Sequence, residues 1–372
     1  MESRKLVDIE KKYNVEDEDS FVVEDQDGTK MVKFEVIKSA LHKMMVCNTI
    51  NNLKALNLPE GSIIRTLGYH KVDDGGAATY YIMYDPSATD DGALCHWLSG
   101  SDTLRAKLVI EGSVNVLAFG AVGDGLNDDY DALQKALDSG LPLHFPNKTY
   151  KVSSPLEIKS NTNIDFNGCT ITCPNSAAII IGNASTGANN VRLSNLNIIG
   201  YNGIEVLPKS SIISLNNISV IGQNVTSEYG VRLQSDKYIR IESCHFSNLQ
   251  YGVTVYVPNT VINNGFISIT NTDMQVSVQC VRTSGGASNI SRINIFNCNF
   301  IVESAIDDTH VGLYLYSQSD HINITNCAFS GGYGALHIMS NISNKIKMIG
   351  CDIFGGVEQI VNEDSTTTIT TI

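Results

Sequence analysis

In the C-terminal two-thirds of this chain, acids, histidines and tyrosines fall at the polar positions of alternating segments. Arg240, Glu242 and His245 occupy such positions in one segment, and Asp273 takes the place of His245 in the next. Two carboxyl groups flanking a glycosidic bond can hydrolyse it. Retaining enzymes hold them about 5 Å apart and inverting ones about 6.5–9.5 Å. Glu242 and Asp273 are the first candidate pair. A longer excursion carries Glu303, Asp307, Asp308 and His310, then runs into Tyr314 and Tyr316. From Ile295 to Gly312 it spans 17 residues, where plainer segments need 10 or 11. Loops projecting from a rigid scaffold commonly carry function. Tyr256, Tyr314 and Tyr316 offer rings for stacking on sugars, and Arg240, His245 and His310 offer polar contacts. A shorter excursion from Gln223 to Tyr229 adds Glu228 as a neighbouring wall. Solvated charges, an acidic loop and aromatic packing between subunits are the plainer readings of the same residues.

A repeat must position these side chains. Apolar-x-apolar, a small polar corner, and a second apolar pair recur through Phe166, Leu193, Leu215, Ile241, Ile269, Ile295, Ile324 and Met348. These residues are 27, 22, 26, 28, 26, 29 and 24 apart. Alternation of this kind marks half-buried strands, and a fixed period in this range marks a solenoid. The corners are Gly168, Asn195, Asn217, Ser243, Asn271, Asn297, Asn326 and Gly350, types that tolerate positive φ. A further strand follows at Gly203, Gly230, Gly252, Gly312 and Gly334. Each period is therefore one coil of a parallel β-helix, with coils stacked at about 4.8 Å. Five of the nine cysteines (Cys169, Cys244, Cys298, Cys327, Cys351) share one repeat position with Leu196, Ile218 and Thr272. Free cysteine is a small buried hydrophobe, so this column reads as core. With no CxxC pair or histidine partner, no metal set is expected there. Reduced thiols are expected, with assembly in a reducing cytoplasm.

The net charge is −13 and the pI about 5.0. That balance disfavours a nucleic-acid or anionic-membrane binder. The N-terminus, Met1-Glu2-Ser3-Arg4-Lys5, leads into charge, so no secretory signal is expected. No apolar run is long enough for a membrane span. Residues 1–58 read as an attachment segment. Phe21-Val22-Val23 and Met31 to Val36 flank an Asp27-Gly28 hairpin signal, and Leu41, Met44, Met45, Leu53 and Leu56 share one face of a helix-like stretch. Residues 59–113 read as a small β-rich connector ending in a strand around Leu108-Val109-Ile110. Within it, Asp73-Asp74-Gly75-Gly76 reads as a turn, because the alternating spacing of a calcium loop is missing.

At 116–137 the sequence runs Val-Leu-Ala-Phe-Gly-Ala-Val-Gly-Asp-Gly-Leu-Asn-Asp-Asp-Tyr-Asp-Ala-Leu-Gln-Lys-Ala-Leu. A Gly-rich turn leads to Asp128 or Asp129 as N-cap of a short helix, with Leu133, Ala136 and Leu137 on one side. That helix is placed to cover the open edge of the first coil. Asp124, Asp128 and Asp129 therefore read as structural. Phe145-Pro146-Asn147-Lys148-Thr149-Tyr150 follows. These two phrases resemble the opening of the pectate-lyase-like family of right-handed parallel β-helices, over about 114–362. Asn147 departs from the glycine of the family's phrase, a change that positive φ at Asn would accommodate. The unit around Ile63 to Ala77 is similar to the connector ahead of this module in phage tail proteins.

The resemblance implies an all-β protein: a right-handed parallel β-helix of about eight coils, capped by a short helix and preceded by small attachment and connector units, with a C-terminal strand or tail over 363–372. It implies a tailspike or receptor-binding protein of the virion tail or baseplate. Such a protein is usually a homotrimer, joined to the virion here through residues 1–58, and engages host surface polysaccharide. Family lyases use an Arg or Lys base, often beside calcium. No matching carboxylate cluster lies in one column here, so hydrolysis is expected over lyase chemistry, and no cofactor is expected. A binding-only adhesin and a structural baseplate component are the alternatives.

Overall fold

The structure is a computed structural model that describes residues 20–25, 28–33, 44–223, 228–235, 237–256, 265–284, 290–304, 307–316, 319–339, 345–355, 360–363 and 367–371. The chain divides into two compact units, Met1–Glu111 and Gly112–Ile372.

In the first unit, Ser20–Asp25 and Gly28–Lys33 pair antiparallel; Gly28, expected in the turn, is paired opposite Asp25, and Asp27 lies outside the described residues. Met44–Cys47 is a strand, not part of a helix, and Leu41 lies outside the described residues. The helix is shorter, Ile50–Lys54, and opens where Thr49 Oγ1 accepts the Asn52 N–H at 3.3 Å. Met44–Cys47 pairs parallel with Ile63–Thr66, which continues antiparallel into Thr79–Tyr84, Leu104–Leu108 and Cys95–Trp97. This five-stranded sheet crosses the boundary expected at 58/59. Cross-strand pairing has overridden helical spacing at Met44 and Met45. Leu53, Ile64, Tyr80, Ile82 and Ala106 form its core. Val109 and Ile110 lie past the end of the last strand. Asp73–Gly76 forms a turn in which Asp74 accepts the N–H groups of Tyr69, His70, Lys71 and Gly76 at 2.7–3.0 Å.

The second unit is a parallel β-helix with three strands per coil. One column runs Ile164, Leu193, Leu215, Ile241, Ile269, Ile295, Ile324, Met348. It matches the sequence repeat except at its start, where Ile164 and not Phe166 aligns with Leu193. Every expected corner has positive φ, from 50° at Asn271 to 73° at Gly168. Amides stack on this edge: Asn195 Nδ2 donates to Asp165 at 2.8 Å, Asn217 to Asn195 at 2.7 Å, and Asn297 to Asn271 at 2.8 Å. The cysteine column is buried as expected, Cys351 partly so, and all nine thiols are free. Gly203 is required by close approach, since a Cβ there would sit 2.0 Å from the Gly230 carbonyl oxygen.

The helix Tyr130–Asp138 seals the first coil through Leu133 and Ala136, with Leu137 only half-buried. Gln134 pairs with the strand edge by accepting the Glu157 N–H at 2.8 Å and donating to the Glu157 carbonyl at 3.2 Å. Asp129 holds the preceding turn, accepting the N–H groups of Val122 and Gly123 at 2.6 and 3.1 Å. Asp128 accepts from Tyr130 and Ser153, and Asp124 from Leu126 and Asn127. All three acids are thus committed to the backbone. Asn147 does not adopt the positive φ expected of it. Thr368–Thr371 pairs with Lys345–Ile349 and continues the stack at its C-terminal end.

Candidate functional site

The third strands of successive coils form one sheet, the third; they read apolar-x-apolar, with Thr283 the exception at Val281-Arg282-Thr283, and turn the central side chain away from the core. In-register pairing collects these side chains into one column: Glu205, Arg232, Thr254, Arg282, Tyr314, His337. At about 4.8 Å per coil the column is roughly 24 Å long. Two hollows lie along it and share Arg282 and Ser284. One, of about 450 Å³, is lined by Glu228, Tyr229, Arg232, Tyr251 and Tyr256 among others. The other, of about 290 Å³, adds Gln279, Thr309, Tyr314 and Tyr316.

The two arginines differ. Arg232 Nη1 lies 3.7 Å from Glu205 Oε1, and its guanidinium stands 5.9 and 5.8 Å from the Tyr229 and Tyr256 ring centroids. Glu205 also accepts from Gln234 at 2.5 Å and from the Tyr229 hydroxyl at 3.4 Å. Burial, reinforced by the Glu205 charge, pushes the Tyr229 phenol well above its ordinary range. Arg282 instead stacks on Tyr251 at 4.4 Å and has no ion pair or hydrogen bond among the described residues. Three buried polar atoms on this flank have no partner among the described residues: Arg282 Nε, Thr254 Oγ1 and Gln279 Oε1. The Gln279 amide is oriented by its other end, where Nε2 donates to the Thr309 carbonyl at 2.8 Å.

The loop 307–310 borders the second hollow. Asp307 Oδ1 accepts the Thr309 N–H, the Thr309 hydroxyl at 2.6 Å, and the His310 ring at 2.9 Å. These hydrogen bonds, the Thr309 hydroxyl first, hold its carboxyl at about 2. His337 is buried because this loop covers it. Its Nδ1 meets the Asp308 carbonyl at 2.5 Å and its Nε2 meets Glu363 Oε1 at 3.1 Å. Among the described residues, Asp308, His337 and Glu363 form the one trio whose donor atoms could hold a cation, all within 4.8 Å of one another.

The structure gathers only part of the expected site. Tyr256, Tyr314 and Tyr316 converge on the groove, with Glu228 at its wall and the loop bearing Asp307, Asp308 and His310 beside it. Tyr314 is anchored, its hydroxyl 3.0 Å from Met339 Sδ and its ring edge-on to His337 at 5.1 Å. Arg240 faces a separate hollow on the first sheet with Arg192 and Tyr238. Glu242, also on the first sheet, aligns with Asn216 and Thr270. His245 and Asp273 align with each other on the second sheet, and Asn299 follows. Glu303 follows the second sheet, accepting from Gln275 at 2.9 Å. Glu242 and Asp273 are therefore not column neighbours, because the Ser243 corner places them on different sheets.

Arg232, Thr254, Gln279 and Arg282 were not anticipated. The signal was present in Val231-Arg232-Leu233, Val253-Thr254-Val255 and Val281-Arg282-Thr283, whose central residues align once the third strands are stacked.

Parts of the chain are similar to known proteins. Residues 113–285 match the family described as rhamnogalacturonase A/epimerase, pectate lyase-like. A 95-residue segment, 23% of the chain, is 38% identical to the pre-neck appendage protein of Bacillus phage B103 and spans 11% of that protein's length. A 73-residue segment is 36% identical to plasmin and fibronectin-binding protein A of Streptococcus pneumoniae and spans 10% of its length. Among solved structures, the tailspike of Acinetobacter baumannii phage AM24 is similar over 94% of this chain and 68% of its own. Its TM-score is 0.59 and its identity 12%. The tailspike of Acinetobacter baumannii phage Fri1, a capsular polysaccharide depolymerase, is similar over 87% and 75%, with a TM-score of 0.50 and 14% identity.

Proposed function

We propose that this chain, a pectate-lyase-like domain on a tailspike-type parallel β-helix, serves a phage particle by engaging a host surface polysaccharide along the third-sheet groove. The observation that carries this reading is the groove's lining. Tyr256, Tyr314 and Tyr316 offer apolar faces, and Thr254, Gln279 and Arg282 hold buried polar atoms with no partner among the described residues. Stacking faces with a few convergent polar groups are what a sugar chain needs. The similar phage appendage and tailspike proteins support the same setting, a virion tail or baseplate.

The particle-facing role belongs to residues 1–58 in this reading, and the working assembly is a homotrimer. Binding takes precedence over cleavage, since hydrolysis needs two carboxyl groups at defined spacing. Among the described residues lining the two hollows, Glu228 is the one carboxylate. If the chain does cleave, Asp307 and Asp308 beside the groove come before Glu242, Asp273 and Glu303.

The test is incubation of the purified protein with surface polysaccharide from candidate hosts. Retention of polymer, weakened at least several-fold by Tyr256→Ala or Tyr316→Ala, supports the reading. Shortened chains with new reducing ends would add hydrolysis, and unsaturated uronate would add a lyase. Retention unchanged by both substitutions would remove the groove from the account.

A further inference from the structure

We infer that the groove contains a subsite for a negatively charged sugar unit, centred on Arg282 and extending toward Arg232. The inference rests on the groove being the polysaccharide site and names the chemistry of one unit within it.

The chain as a whole is acidic, at −13, so a guanidinium without a counter-charge is unexpected on its flank. Arg282 is such a group among the described residues. Its Nε is buried without a partner among the described residues, and its guanidinium carbon lies over the Tyr251 ring, 4.4 Å from the centroid. A buried donor left unpaired is costly, and a ligand oxygen removes that cost. Arg232 lies two coils away in the same column, and Thr254 lies between them, one coil from each. Thr254 is 8% exposed and its hydroxyl has no partner. The two arginines are thus spaced about 10 Å along the stack, close to the length of a disaccharide.

The acids around this subsite are accounted for. Glu205 is engaged by Arg232, Gln234 and Tyr229. Glu363 meets His337, and Asp307 is held by Thr309 and His310. Asp308 belongs to the trio around His337, and His337 follows Tyr314 in the column. Glu228 is exposed at the wall and opposes an anion at the Arg232 end, where Glu205 already shares the charge. The Arg282 end is the one left open. A planar guanidinium with parallel N–H donors matches either carboxylate or phosphate, so the sugar's acid has either source.

The probes are glucuronate, glucose 6-phosphate and glucose, titrated against the full chain by saturation-transfer NMR. One acid should bind at least tenfold more tightly than glucose, and which acid does so distinguishes carboxylate from phosphate. Raising sodium chloride to half-molar should weaken it. Arg282→Gln should lose about tenfold or more with an unchanged circular dichroism spectrum, and Arg282→Lys should fall between. Equal binding of glucose and both acids, or an unchanged Arg282→Gln, overturns the subsite. If host polysaccharide is still retained in that case, the groove reading stands without it. If the acids bind at Arg282 but no host polysaccharide is retained, the subsite stands and the polysaccharide reading falls.

Discussion

The Arg282 guanidinium lies 4.4 Å from the centroid of the Tyr251 ring, and the two side chains come from adjacent coils. The ring face supports a cation that has no other partner among the described residues. Cation–π contact is worth about 0.5–2 kcal/mol, depending on desolvation. Tyr251→Leu keeps much of the apolar bulk and removes the π face. It should weaken polysaccharide retention about three- to tenfold while leaving the thermal midpoint nearly unchanged. Depletion of polymer from solution, measured beside a melting curve, checks both parts.

Asn217 tests the corners. Its φ is 52° and its amide donates to Asn195 at 2.7 Å. Asn217→Ala should destabilise the protein by about 2–3 kcal/mol, since a non-glycine residue pays for left-handed backbone and the amide bond is lost. Asn217→Gly restores the backbone freedom and loses only the amide bond, so it should cost about 1 kcal/mol. Urea unfolding of the two variants compares them directly, and equal losses would refute the conformational account.

His96 gives the first unit an acid limit. It is fully buried, T-stacked on Tyr80 at 5.2 Å, with Nδ1 3.7 Å from Asp90. Burial, followed by the Lys54 charge, depresses its folded pKa to about 4. An unfolded histidine takes up a proton near 6.5. The folded state therefore binds fewer protons between those values, and stability falls as pH drops from about 6.5 toward 4. Trp97 is the one tryptophan in the chain and adjoins His96, so its fluorescence reports this unit. His96→Phe should flatten the acid dependence.

The cysteine column sets the alkaline side. Burial raises the Cys169 and Cys244 thiols to about 12. Unfolded thiols ionise near 8.5. Their contribution is complete below that pH and is lost as pH climbs toward 12. At pH 8 the folded protein should react with a thiol-specific disulfide reagent far more slowly than after denaturation, when all nine cysteines become available. Prompt labelling of Cys169 or Cys244 in the folded state would refute their place in the core.

Corners and core were legible because their chemistry is local. Asn, Ser or Gly at the turn and Cys at the following inward position each reflect the backbone within a few residues. Phe166 was misaligned by two because Asn167 and Gly168 both bend left-handed at the first corner, which lengthens that coil. The groove was only partly legible. Tyr314 and Tyr316 stood out as aromatics after a long excursion, but Arg232 and Arg282 look like ordinary outward charges. Nothing local links two arginines fifty residues apart. That proximity depends on the lengths of the intervening loops. The corner at Ser243 and the alignment of Asp273 with His245 were both legible, and together they set Glu242 on one sheet and Asp273 on the next.

Coils of this kind touch only the coil before and the coil after, so each interface must resist separation by itself. The column from Glu205 to His337 crosses five of those interfaces in succession. A polymer lying along it would act as a strap over the stack, tying non-adjacent coils that share no backbone hydrogen bond. Pulling on that polymer, as a tethered particle does, would load the strands sideways across their ladders and spread the force over many bonds at once.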